Sequence, residues 1–217
     1  MLADGIYVVI YYLIGYRKKT VFQNLKLCFP EKTESEIKQI AKDFYRHFAD
    51  LIVEVLKTWS MSNAEMKQRV RIKNPELMAE YVANKQSAIG LTGHLGNWEW
   101  LLPICSLESK SENIMAVYKE LNNASFDKFI FDLRSRFGGK PIKMDKIFSE
   151  LRKCKSQNLF SLTGLIADQA PMKKDAEYWT TFFGIESAFF AGITKLPEVF
   201  QLPVVFISMR KIKRGFY

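Results

Sequence analysis

Ile89-Gly-Leu-Thr-Gly93-His94-Leu-Gly96-Asn97-Trp98-Glu99-Trp100 decides how this chain is read. It carries one of the two histidines in the sequence. An apolar, strand-like run from Ser87 to Leu91 breaks there into a helix-like run from Trp98 to Ser106, interrupted by Pro103. Glycines bracket the imidazole at Gly93 and Gly96, and Glu99 follows His94 with four residues between them. A polar turn between a strand and a helix is where α/β proteins place chemistry, at the carboxyl ends of the strands.

Working outward, the same alternation continues on both sides. Upstream, Thr33-Glu-Ser-Glu36 reads as a capping box, in which Thr33 and Glu36 satisfy each other's backbone amides. Ile37, Ile40, Ala41, Phe44, Phe48, Leu51, Ile52, Val55 and Leu56 then recur at helical spacing as far as Trp59, predicting one long amphipathic helix with His47 beside its stripe. Arg69 to Lys73 alternates like a short strand, and Asn74-Pro75 opens a helix to about Asn84. Downstream, strands are predicted at 113–119, 159–166 and 203–209, with helices at 126–137, 147–156 and 188–200. The expected fold is α/β, with a mixed, largely parallel sheet flanked by helices.

The bulk properties bound the function. At 217 residues with 48% apolar and 25% charged residues, the chain can bury a core and is not disordered. A net charge of +9 points to an anionic partner: nucleic acid, an acidic protein or an anionic membrane surface. The 14% aromatic content favours an apolar groove over a sugar-phosphate backbone, and no nucleic-acid motif is present. Cys28, Cys105 and Cys154 are too widely spaced for a disulfide framework or a zinc site. The apolar run from Gly5 to Tyr16 is shorter than a spanning helix needs and ends at Arg17-Lys18-Lys19. It reads as a buried helix or, on the stronger reading, as an interfacial segment with a basic flank on the cytoplasmic side.

An imidazole is the side chain suited to taking a proton from a hydroxyl near neutral pH. Glu99 can orient its ring from the start of the following helix, or can simply favour that helix N-terminus. Asp168-Gln169, at the end of another apolar strand, can orient His94 or Arg134, or cap the next turn. Arg134, Arg136, Lys119 and the Lys173-Lys174 pair can form a cationic rim, or remain solvated surface charges. Competing chemistries lack their residues. No Ser sits in a Gly-x-Ser-x-Gly elbow, no Cys adjoins a His, and the phosphate-binding and dinucleotide fingerprints are missing.

Gly93-His94-Leu-Gly96-Asn97-Trp98-Glu99 resembles the HxxxxD/E block of the bacterial lipid A late acyltransferases, the lauroyl and myristoyl transferases of lipopolysaccharide synthesis. These belong to the wider lysophospholipid and glycerol-phosphate acyltransferase group. Asn24-Leu-Lys-Leu-Cys-Phe29-Pro30-Glu31, Val117-Tyr118-Lys119 with Asn123, Arg134-Ser-Arg136, Ala167-Asp168-Gln169 and Phe182-Phe183-Gly184 with Thr194 are similar to further blocks in the family's order. Lys119 and Glu120 depart from the family's usual arginine and proline.

The resemblance implies a glycerol-3-phosphate-acyltransferase-like fold. A partial membrane-anchoring segment would occupy 1–19, a helical region 20–62, and an acyltransferase core 63–217, shortened at its C-terminus. It implies acyl transfer from an acyl carrier protein thioester to a hydroxyl of a lipid A precursor, at the cytoplasmic face of the bacterial inner membrane. His94 would be the base, with Glu99 orienting it. Arg134 would sit near phosphate or oxyanion, and Asp168, Asn97, Lys119 and Arg136 would bind substrate or support the site. The chemistry needs no metal or other cofactor. Ornithine lipid, a lysophospholipid or another glycolipid are alternative acceptors, and a non-catalytic lipid-binding protein is a further alternative.

Overall fold

A computed structural model of the chain describes residues 2–111, 113–171 and 176–217. The chain divides into two compact units, Met1–Thr58 with Thr181–Ile185, and Trp59–Thr180 with Glu186–Tyr217.

The first unit is helical. α1 (Leu2–Val8) runs into a π-helical turn at Val9–Leu13, and α2 (Lys18–Cys28) and α3 (Glu34–Thr58) follow. The capping box at the start of α3 forms as expected: Glu36 N–H donates to Thr33 Oγ1 at 3.3 Å, and Thr33 N–H donates to Glu36 Oε2 at 2.9 Å. The buried seam is rotated from the predicted stripe. Ile37, Ala41, Tyr45 and Ala49 face inward at four-residue spacing, while Phe44 and Leu56 are exposed. Alanines at two of the four seam positions let α1 approach closely, so the aromatic rings of Tyr7, Tyr11 and Tyr45 fill the space between the helices. Leu2, Tyr12, Leu13 and Ile14 stay exposed, and Lys18 lies 3.9 Å over the Tyr11 ring. Among the described residues no helix is long and apolar enough to cross a membrane.

The second unit begins with α4 (Asn63–Arg69), capped by Ser62, and α5 (Pro75–Ala83), with proline in its first turn. The elements that follow alternate. β1 (Ala88–Thr92), a 3₁₀ turn at Trp98–Trp100, α6 (Leu101–Ser109), β2 (Ile114–Tyr118), α7 (Ala124–Ser135) and β3 (Lys140–Lys143) make the first half. α8 (Ile147–Ser156), β4 (Leu162–Ile166), a hairpin of β5 (Tyr178–Phe182) and β6 (Ile185–Phe189) whose tip, Thr181–Ile185, is counted with the first unit, α9 (Gly192–Phe200) and β7 (Val204–Phe206) follow.

The main sheet has five strands in the order β3-β2-β4-β1-β7, and the four pairings are all parallel. Helices cover it, as the alternating sequence pattern predicts. Side-chain parity divides the core. Ile114, Ala116 and Leu162 pack with Trp100, Leu102, Ile104 and Cys105 on one face. Ile89, Met115 and Leu165 pack with Leu151, Cys154, Leu196 and Phe200 on the other. Trp100 is fully buried, and a side chain of that kind contributes roughly 1.5–3 kcal/mol on leaving water.

Three local expectations are corrected. Arg69 to Lys73 forms no strand: Arg69 ends α4, and the next residues bond to Tyr217, whose N–H donates to Arg69 O while its carbonyl accepts from Arg71 N–H. Its alternating charges mimic strand periodicity. The helix predicted from Ala188 starts at Gly192, because Ala188 and Phe189 belong to β6. Pro103 does not interrupt its helix. It lies in the first turn of α6, where a missing N–H leaves no bond unmade.

Candidate active site

β1 and β4 are adjacent and parallel, with Thr92 opposite Ile166. The chain leaves β1 for α6, which packs on one face, and the route from β4 leads to α9 on the other. A crevice opens where neighbouring strands part in this way. His94 stands on one lip and Asp168 on the other, each two residues beyond the end of its strand.

The turn after β1 is closed by Leu95 N–H donating to Gly93 O at 2.7 Å, a three-residue turn centred on His94. Two glycines make it possible. A Cβ on Gly93 would lie 3.0 Å from Asp168 Oδ2. Gly96 has φ +58°, and a Cβ there would lie 3.0 Å from the Met209 carbonyl oxygen.

Asp168 grips the turn with both oxygens. Oδ2 accepts the His94 backbone N–H at 2.7 Å, and Oδ1 lies 2.6 Å from His94 Nδ1. A carboxylate on Nδ1 places the ring proton there and leaves the Nε2 lone pair free to accept. Gln169 Nε2 lies 3.3 Å from that nitrogen, and Trp98 meets the imidazole edge-on with centroids 4.7 Å apart. The His94 side chain is 30% exposed, so the ring is fixed on one side and open on the other.

Glu99 does not reach His94 among the described contacts. Its carboxylate is taken by Arg134 from α7 in a two-pronged bond, with Nε to Oε2 at 2.8 Å and Nη2 to Oε1 at 2.6 Å. The pair is largely shielded, at 21% and 15% exposure, and the guanidinium carbon sits 5.8 Å over the Tyr118 ring. Burial works against the Arg134 charge, but the Glu99 hydrogen bonds and charge outweigh it and raise its pKa above the ordinary value. Arg134 is therefore a fixed cation. Nη1 donates to no described residue.

The other expected site residues separate. Asn97 is wholly buried inside the turn. Lys119 is exposed just past β2. Arg136 points away from the crevice, donating to the Met61 carbonyl and lying beside Phe137. The expected Lys173-Lys174 contribution lies outside the described residues. Trp98 and Tyr118, one touching His94 and the other under Arg134, are the contributors that sequence reasoning missed. Their signal in the sequence was a place at a strand end and inside the blocks that carry the family resemblance.

Glu99, Arg134 and Trp98 also line an open groove over the sheet, with Thr92, Ile166 and Tyr118. Its inner part is apolar and includes Leu102, Cys105, Ile114 and Leu162. The site thus combines an oriented imidazole, a fixed cation and an apolar groove.

A sequence model of the family described as "Bacterial lipid A biosynthesis acyltransferase" matches residues 3–216. The chain is 27% identical over 124 residues to the Lipid A biosynthesis acyltransferase 2 of Shigella flexneri, covering 57% of this chain and 38% of that protein. It is 26% identical over 117 residues to the Lipid A biosynthesis myristoyltransferase of Escherichia coli (strain K12), covering 54% and 36%. The matched part therefore spans less than two fifths of these relatives' lengths.

Proposed function

Because the chain belongs to the bacterial lipid A biosynthesis acyltransferase family, we propose that it moves a fatty acyl group from a thioester to a hydroxyl of a lipid A precursor, with His94 as general base. The observation that carries this reading is the His94–Asp168 pair, which leaves Nε2 as an acceptor on a ring that stays partly exposed.

The acceptor hydroxyl takes the place of Gln169 at Nε2 and gives up its proton there as its oxygen attacks the thioester carbonyl. The new C–O bond forms and the carbonyl oxygen becomes an oxyanion. On collapse the C–S bond breaks, and the leaving thiolate takes the proton back from Nε2. Asp168 stabilises the imidazolium formed in between and holds the ring in one orientation. Arg134 offers Nη1 to the oxyanion or to an acceptor phosphate, and Glu99 fixes the guanidinium that does so. The role first expected of Glu99 thereby passes to Asp168. The apolar groove receives the acyl chain.

The donor is an acyl carrier protein thioester, an acidic partner suited to a chain of net charge +9. On this reading the parallel α/β core is of the glycerol-3-phosphate-acyltransferase type, and the exposed apolar side chains of the first helices, flanked by Arg17, Lys18 and Lys19, rest on the cytoplasmic face of the inner membrane. Asn97 supports the turn, and Lys119 and Arg136 are peripheral to the reaction.

Membrane-reconstituted protein supplied with acyl carrier protein thioester and a panel of lipids, including lipid A precursors, ornithine lipid and lysophospholipids, tests the reading. Transfer to a lipid A precursor is the expected product. Transfer only to another lipid reassigns the acceptor, and binding without transfer to any lipid overturns the enzymatic reading.

A further inference from the structure

Three neighbouring strands carry their smallest residues in one transverse row. Gly90 on β1 pairs with Gly164 on β4, and Gly164 pairs with Ala116 on β2. All three line the apolar groove. Two residues along each strand towards the mouth, the row is Thr92, Ile166 and Tyr118. Two residues the other way, it includes Leu162 and Ile114, which pair with each other. Alternate strand residues share a face, so these rows are successive steps along one channel floor. Four residues of strand span ~13 Å from the mouth row to the inner row.

Glycines face to face in the middle of a parallel sheet are unfavourable for the sheet itself, since they pack nothing and weaken strand preference. Here they remove side-chain volume where the channel passes. The two are not equivalent. A Cβ on Gly90 would come within 2.7 Å of Ile207 Cδ1, so that position is already closed by a neighbour. A Cβ on Gly164 would meet only the Met115 carbonyl oxygen at 3.5 Å, an ordinary contact, and so would occupy channel space.

Resting on the acyltransferase reading, we infer that the Gly90–Gly164–Ala116 row sets how long an acyl chain the groove admits, with Gly164 the controlling position. A side chain at 164 stands across the channel between its polar mouth and its Leu162–Ile114 end. Glycine there lets a chain run past the row to that end, whereas with a side chain at 164 only chains short enough to stop before the row are accepted.

The test compares the full chain with Gly164→Val and, on the adjacent strand, Ala116→Leu. Valine suits a central strand, so thermal melting reports whether a variant has folded. Two readouts are taken across a homologous series of saturated chains. The first is displacement of an environment-sensitive dye from the groove by free fatty acids, and the second is transfer from acyl carrier protein thioesters. Folded Gly164→Val should lower the long-to-short ratio about tenfold or more in both, the scale on which apolar pockets discriminate by size. Ala116→Leu should move it in the same direction. An unchanged ratio in both folded variants overturns the inference, even if transfer is observed. A moved binding cut-off without transfer by any form supports the inference and tells against the acyltransferase reading.

Discussion

Asp168 holds His94 at two points, with Oδ1 2.6 Å from Nδ1 and Oδ2 accepting the backbone N–H at 2.7 Å. One carboxylate thus fixes both the ring and the turn that presents it. Asp168→Asn keeps the shape but removes the charge and the acceptor preference that hold the proton on Nδ1. Its kcat should fall by roughly a hundredfold or more with a small change in KM, measured by steady-state transfer. A loss confined to KM would assign Asp168 to substrate binding instead.

Gly93 makes that grip possible, because no side chain stands between the turn and Asp168. In Gly93→Ala the added methyl, 3.0 Å from Oδ2, forces the carboxylate away by a few tenths of an ångström. Transfer should drop by about tenfold, since small displacements at a catalytic group are costly. Thermal melting should move little in comparison. A large melting loss with normal specific activity in the folded fraction would contradict this.

The Glu99–Arg134 pair is expected to behave as a unit. Arg134→Met strands a shielded carboxylate and should cost about 2–3 kcal/mol in urea unfolding, less than the about 3–5 kcal/mol of a fully buried pair because both groups keep some solvent contact. Adding Glu99→Gln should recover part of that loss. Strictly additive losses would show that the pair is not coupled.

What was legible in the sequence follows from how far apart the interacting residues are. Thr33 and Glu36 sit within one helical turn, so the capping box could be read directly. α8 was read with its observed bounds, since its apolar period and flanking turns are local. The partner of His94 lies 74 residues away, and what linked them was that both end apolar strands and both fall in blocks that resemble one family. Glu99 is nearer in sequence but turns towards α7, a direction fixed by the 3₁₀ turn and by Arg134 rather than by the spacing of the motif. β3 was missed because it is four residues long, with Pro141 inside and lysines at both ends. The β5–β6 hairpin was missed because its turn, Phe183-Gly184, places a phenylalanine at φ +49°, where asparagine or glycine is the usual signal.

Cys105 lines the inner groove, and burial pushes its thiol up to about 11 from an ordinary 9.0. The folded protein therefore favours the neutral thiol. Its stabilising contribution is fully present below about 9 and is lost as pH rises through about 11. Peptide mapping after iodoacetamide treatment near neutral pH should find Cys105 unmodified in the native chain and modified after unfolding. Rapid native modification would show the groove to be wetter and more open than this packing implies.

The central claim is that His94 takes the proton from an acceptor hydroxyl. Its most direct test is the rate of acyl-lipid formation, followed by mass, in a single turnover with saturating thioester and lipid A precursor, comparing the wild-type chain with folded His94→Ala. The account predicts product from the wild type and a loss of about a hundredfold or more in the variant. Equal single-turnover rates would contradict it.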